Sequence, residues 1–227
     1  MSTPTQLRRD VANLSRLAER DLAALWATVA TAAQARQALN DILPALVETY
    51  GMAAGAIAAD WYDEARAKAG VGRAFYAEPI PVPPAGAPKL TTWALGVSTD
   101  LDNAKSLIAG GVQRRLANVA RGTIMRSSSR DPLAAGWMRV GAGACGFCRM
   151  LIARGAVYTK ETVDFGAHDH CNCQAAPKWP GSEPIDVQKY RESTRRRSDG
   201  TREADNDRAR AWIAAHLTNA PTAPRLP

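Results

Sequence analysis

The chain has 227 residues, 46% hydrophobic and 22% charged, a globular balance with length for one substantial domain or one domain with tails. No apolar run approaches the roughly 20 residues that span a bilayer, and "MSTPTQLRRD" has no apolar stretch behind its charges, so the sequence predicts a protein without a signal peptide, kept in a cytosol, with no membrane partner. The net charge is +7, and residues 105–154 carry nine Lys or Arg against one acid, Asp131. Such a basic middle fits a polyanion neighbour, nucleic acid or an acidic partner surface, and equally a solvated helix face.

In chain order, Leu7, Val11, Leu14, Ala18, Leu22, Leu25 and Val29 recur at helical steps. Thr3 followed by Pro4 starts this helix, as cap and first helical residue. A second helix is predicted from about Asn40 or Asp41 to Lys68, with Pro44 in its first turn. Its apolar face carries Ile42, Leu43, Leu46, Val47, Tyr50, Ile57 and Trp61, and Gly51 and Gly55 leave room for a close neighbour. The two helices are expected to form an antiparallel hairpin over residues 1–72.

"AEPIPVPPAGAPK" holds five prolines and reads as an extended linker, placed at 73–89. Beyond it Leu101, Ala104, Ile108, Val112, Leu116, Val119 and Thr123 mark a third helix that "SSSRDP" ends. Arg114, Arg115, Arg121 and Arg126 are placed on or beside its outer side, as candidate contacts for nucleic acid or an acidic partner. Residues 90–180 form the expected core unit, and 181–227 a basic segment. That segment contains Arg195, Arg196 and Arg197 as further candidate contacts, a short amphipathic helix around 209–217 and a flexible tail. The expected fold is therefore mainly α: a long N-terminal helical hairpin, a further helix, then a small, loop-rich α+β subdomain stapled by a metal.

The staple is read from "CGFCRMLIARGAVYTKETVDFGAHDHCNC", residues 145–173, which holds all four cysteines and two of the three histidines. Cys145 and Cys148 make a C-x-x-C knuckle. The second half offers His168, His170, Cys171 and Cys173, across a loop of 19 residues. Two donor pairs joined by a loop are the layout of a zinc site. Six donors compete for four positions. Cys145 and Cys148 are joined by His168 and one of Cys171 and Cys173, with His170 as the alternative ligand. Two disulfides are a competing chemistry that a reducing cytosol opposes, and a catalytic Cys–His pair is a third. Four protein ligands imply a closed structural site. Between the halves, "FCRMLIA" is expected to be a short helix ended by Gly155, and "AVYT" a returning strand.

The order C-x-x-C, then "RGAVY", then H-x-x-C-x-C with a proline soon after, resembles the minor head proteins of tailed bacteriophages, of the Mu-type head-morphogenesis family. The matching residues are Cys145, Cys148, Arg154, Gly155, Tyr158, His168, Cys171, Cys173 and Pro177, and the wording is most like versions from phages of actinobacteria. The resemblance covers about residues 136–180. Asp169 departs from it, since many relatives have proline after the histidine. It implies a minor capsid protein inside the virion, assembled in the bacterial host cytoplasm, that helps head assembly, DNA packaging or DNA delivery beside the portal. Its implied partners are the portal protein, the major capsid protein or a scaffolding protein, with packaged DNA nearby. Related genes are described as capsid maturation proteases, the runner-up reading, although no G-x-S-x-G or H-E-x-x-H is present. A DNA-binding zinc-knuckle protein is the third.

Overall fold

The computed structural model describes residues 3–72, 74–83, 86–141, 146–162 and 164–179, with Asp207 and Ala211 beyond them. Cys145, Arg195, Arg196, Arg197, the tail and almost all of the helix expected at 209–217 lie outside the described residues. The described chain is mainly helical, with one small sheet and a Cys/His cluster near it.

Helix α1 spans Pro4–Trp26. Thr3 caps it, its hydroxyl accepting from the Gln6 N–H at 3.2 Å, with Pro4 just inside. Leu7, Val11, Ala18, Leu22 and Trp26 bury one stripe. Helix α2, Ala32–Lys68, starts earlier than the sequence suggests. Thr31 and Gln34 close a reciprocal capping box, each side chain accepting the other's backbone N–H at 3.2 Å. Pro44 is thus interior, not in a first turn. The carbonyl it leaves without a helical donor belongs to Asn40, an exposed residue that water reaches, so the helix continues through it. Ile42 is another correction, since it is 44% exposed and outside the core.

The two helices run antiparallel: the Tyr50 hydroxyl donates to Asp21 at 2.5 Å, and Trp61 Nε1 donates to the Thr3 carbonyl at 3.0 Å. By length and mean hydropathy α2 is apolar enough to cross a membrane, but 44% of that window is buried. Its apolar side packs on α1, on the short helix α3 (Gly86–Val97) and on the long helix α4 (Leu101–Arg130). Two apolar cores follow one another along the bundle. One gathers Leu22, Leu39, Leu43, Leu90, Ile108 and Leu116. The other gathers Leu7, Val11, Tyr62, Ile124 and Trp137 with Cys148, Cys171 and Cys173. The first helix and the cysteines therefore share one core.

Residues 74–83 are extended but docked. Val82 sits where a Cβ on Gly51 would stand 2.8 Å away, and Pro79 packs at Gly55 together with Val119 of α4. The room at these glycines thus receives this strap as well as a helix. Side chains accept from two of its backbone donors, Asp63 from the Ala77 N–H at 2.9 Å and Thr123 from the Ile80 N–H at 3.2 Å. Helix α3 begins inside the stretch read as linker.

Helix α4 ends where Asp131 turns extended before Pro132. Asp131 is buried, and its carboxylate accepts from Arg66 Nε at 2.8 Å, the Tyr62 hydroxyl at 3.1 Å and the Leu133 N–H at 3.0 Å. Burial pushes that carboxyl up, but the Arg66 and Leu133 hydrogen bonds and the guanidinium charge hold it below the usual range. Strands β1 (Trp137–Val140) and β2 (Gln174–Pro177) pair antiparallel, Trp137 opposite Pro177 and Val140 opposite Gln174. Two such strands are marginal alone, and β2 packs on α4. The expected strand at "AVYT" is only a bridge between Trp137 and Tyr158, whose rings stack at 4.1 Å. Gly136, at φ 124°, permits it, because a Cβ there would strike the Tyr158 carbonyl.

Candidate metal centre

Helix α5, Gly146–Ala153, follows β1 and carries Cys148 in its first turn. It ends as the sequence predicts, with Gly155 in the left-handed region at φ 64°. The chain then loops back through Phe165 to His168. His170 takes φ 59°, rare for a residue with a Cβ, and the Cys171 N–H donates to the His168 carbonyl at 3.3 Å. This turn returns Cys171 to the site and points His170 elsewhere. The His170 ring lies over Gly110 of α4, where a Cβ would stand 2.7 Å from Nε2.

The ligand atoms of Cys148, His168 and Cys171 all lie within 4.8 Å of one another, and such a group could hold a metal ion. Ligands about 2.3 Å (sulfur) and 2.1 Å (nitrogen) from a tetrahedral ion stand roughly 3.6–3.8 Å apart. The Cys148 and Cys171 sulfurs are 3.6 Å apart, and Cys148 Sγ is 3.9 Å from His168 Nε2, so the geometry fits such an ion. His168 Nδ1 meets the Asp169 carbonyl at 2.6 Å, which holds its proton there and makes Nε2, on the side of Cys148, the nitrogen that could ligate. Cys173, also buried, borders the group, and its thiol interacts with those of Cys148 and Cys171. All three described cysteines are free thiols. Hydrogen bonds from Cys148 and then Cys173, aided by the Arg121 charge, push the Cys171 thiol far down toward thiolate. The same contact with Cys171 pushes Cys148 far up. Cys173 is lowered by its bond with Cys148, but Cys171 and burial more than offset that, and it is pushed up to about 11.

A model of the VG15 protein family matches residues 2–196, which contain the helices and the whole Cys/His stretch. The chain belongs to the VG15 protein family. That is a viral-gene family of phages, and this member is a phage-encoded protein. No curated protein and no solved structure matches it.

Of the four α4 arginines that the sequence suggested on or beside the outer side of this VG15 protein, Arg121 lies inside instead. Arg121 is fully buried. Its Nε donates to the Cys173 carbonyl at 2.8 Å and its Nη2 to the Cys171 carbonyl at 2.5 Å. Ala117 and Ile124, one helical turn to either side, are buried too, so its place on the inward stripe was readable by spacing. Arg115 is partly buried and donates to the Gly111 and Gly86 carbonyls. Arg114 pairs with Asp169 at 3.1 Å beside the site, and Arg126 is exposed. Arg139, absent from the sequence-based candidates, is buried on β1. It donates to the carbonyls of Phe165 and Gly166 and reaches Cys148 Sγ at 4.0 Å. Inward alternation with Trp137 on a strand is the signal for it. Of Ser127, Ser128 and Ser129, the serines a protease scheme would call on, the first two are buried in α4 and Ser129 is exposed.

Proposed function

We propose that this phage protein is a minor head component that acts in procapsid assembly and in DNA packaging or delivery near the portal. Its Cys/His centre is a structural zinc site. The observation that carries the reading is the convergence of Cys148, His168 and Cys171 at tetrahedral spacing, within a stretch that resembles the head-morphogenesis motif in a member of a phage family. Buried thiols beside an imidazole suit zinc rather than oxygen-loving ions such as magnesium. Cys173 or Cys145 completes the set. Such an ion adds folding free energy and fixes a loop-rich segment whose described residues form a two-stranded sheet.

In this reading the helical bundle meets portal, coat or scaffold, and exposed cations such as Arg126, with Arg195, Arg196 and Arg197, meet packaged DNA without sequence preference. The test is disruption of the gene in the phage. Loss of DNA-filled heads, with the protein found in purified wild-type particles near one zinc per chain, is the expected result. Normal heads from the disrupted phage, with no protein in wild-type virions, would overturn the head role.

A further inference from the structure

Arg121 and Arg139 place two guanidiniums in the core beside the donor cluster, at 0% and 2% exposure. Arginine does not deprotonate in proteins, so burying it calls for compensation. Among the described residues neither one pairs with a carboxylate. Both instead face the site. Arg121 bridges the carbonyls of Cys171 and Cys173. Arg139 meets the carbonyls of Phe165 and Gly166 and the Cys148 sulfur, while its buried Nε has no hydrogen-bond partner. The Phe165 ring receives both cations, at 4.8 Å from Arg121 and 3.7 Å from Arg139.

Carbonyl dipoles and a ring face solvate a cation without neutralising it. Among the described residues, the groups beside these two that can carry negative charge are the thiols of Cys148, Cys171 and Cys173. A divalent ion held by three thiolates and an imidazole carries a net single negative charge, and one held by four thiolates a double one. Buried cations and an anionic centre then solve each other's desolvation problem.

We infer that Arg121 and Arg139 are positioning residues of the metal centre, fixing the backbone on both sides of His168 and supplying the counter-charge that lets a thiolate-rich ion sit in the core. This rests on the metal reading above. It also gives the centre a preference, because two fixed positive charges favour thiolate-rich coordination and oppose any arrangement with fewer anionic ligands.

The test compares the full chain with Arg121→Lys, Arg121→Met, Arg139→Met and the exposed control Arg126→Met. Zinc affinity is measured by competition with a chromophoric chelator, cobalt(II) supplies a ligand-field spectrum, and circular dichroism gives the folded fraction of each metal-free chain. Losing an outer partner of metal ligands costs about 10–100-fold in affinity. A loss of that size is expected for both Met variants, with an altered cobalt spectrum and affinity referred to folded chains. Arg121→Lys keeps the charge but not the two-carbonyl fork, so it should fall between wild type and Arg121→Met. Arg126→Met should match wild type. Wild-type affinity and spectrum in folded Arg121 and Arg139 variants would overturn the inference. If the Met variants do not fold, Arg121→Lys decides by the same comparison. Wild-type protein that takes up neither zinc nor cobalt would remove the metal reading and this inference together.

Discussion

Asp131→Asn tests the joint between α4 and α2. The carboxylate is fully buried and the Arg66 side chain is 8% exposed. Asparagine keeps the shape and one accepting oxygen. Its amide nitrogen, however, must face a donor, whether from Arg66, Tyr62 or Leu133. Removing one partner of a buried ion pair and leaving the other uncompensated costs about 3–5 kcal/mol. For a chain of this size that corresponds to a fall in Tm of roughly 6–20 °C. The pH dependence has a definite sign. A carboxyl lowered in the folded state contributes stability that is complete above its unfolded pKa of about 3.9 and is lost as pH falls through the folded value. Wild type should therefore lose stability below about pH 4 more steeply than Asp131→Asn. The assay is urea unfolding followed by circular dichroism from pH 7 to 3, on both proteins at equal metal loading, so that proton-driven release of metal cancels in the difference. A variant within about 1 kcal/mol of wild type at pH 7, or one with the same acid slope, would refute the pairing argument.

Two further predictions concern the turn and the sheet. His168→Ala should weaken zinc binding strongly while His170→Ala leaves it nearly unchanged, because only His168 shares the cluster; chelator competition that ranks them the other way would reverse the assignment. Gly136→Ala should cost about 2–5 kcal/mol in chemical denaturation, since a Cβ at φ 124° is strained and meets the Tyr158 backbone. A loss below about 1 kcal/mol would mean that the bridge to Trp137 is not needed.

The helical part of the fold was legible wherever periodicity and caps agreed. Thr3 with Pro4 marked the start of α1, and Asp131 with Pro132 the end of α4. Pro44 misled because proline more often opens a helix than lies inside one, and the true start depends on a Thr31–Gln34 box that is short of apolar residues. Helix α3 was hidden because its first residues share the Pro/Gly composition of the strap. In the site, spacing brought out the donors and favoured His168 with His170 as the alternative, whereas the reversal at residue 170 that sets the His170 ring over Gly110 has no local signature. Arg121 was misread because charge outweighed periodicity: its neighbours at one turn are apolar, yet arginine on a basic helix invites an outward placement.

The core that holds Cys148, Cys171 and Cys173 also holds Leu7 and Val11 from the first turns of α1. In the order of synthesis these pieces are made far apart in time. The first helix leaves the ribosome early, and the core that its Leu7 and Val11 share is complete only once Cys171 and Cys173 have emerged. If the ion of the proposed site binds only when this shared core is closed, its binding would mark the moment when the beginning of the chain and its motif have met. Metal uptake during expression would act as a clock for completed folding, and deletion of α1 should delay or abolish it even though no ligand has been touched.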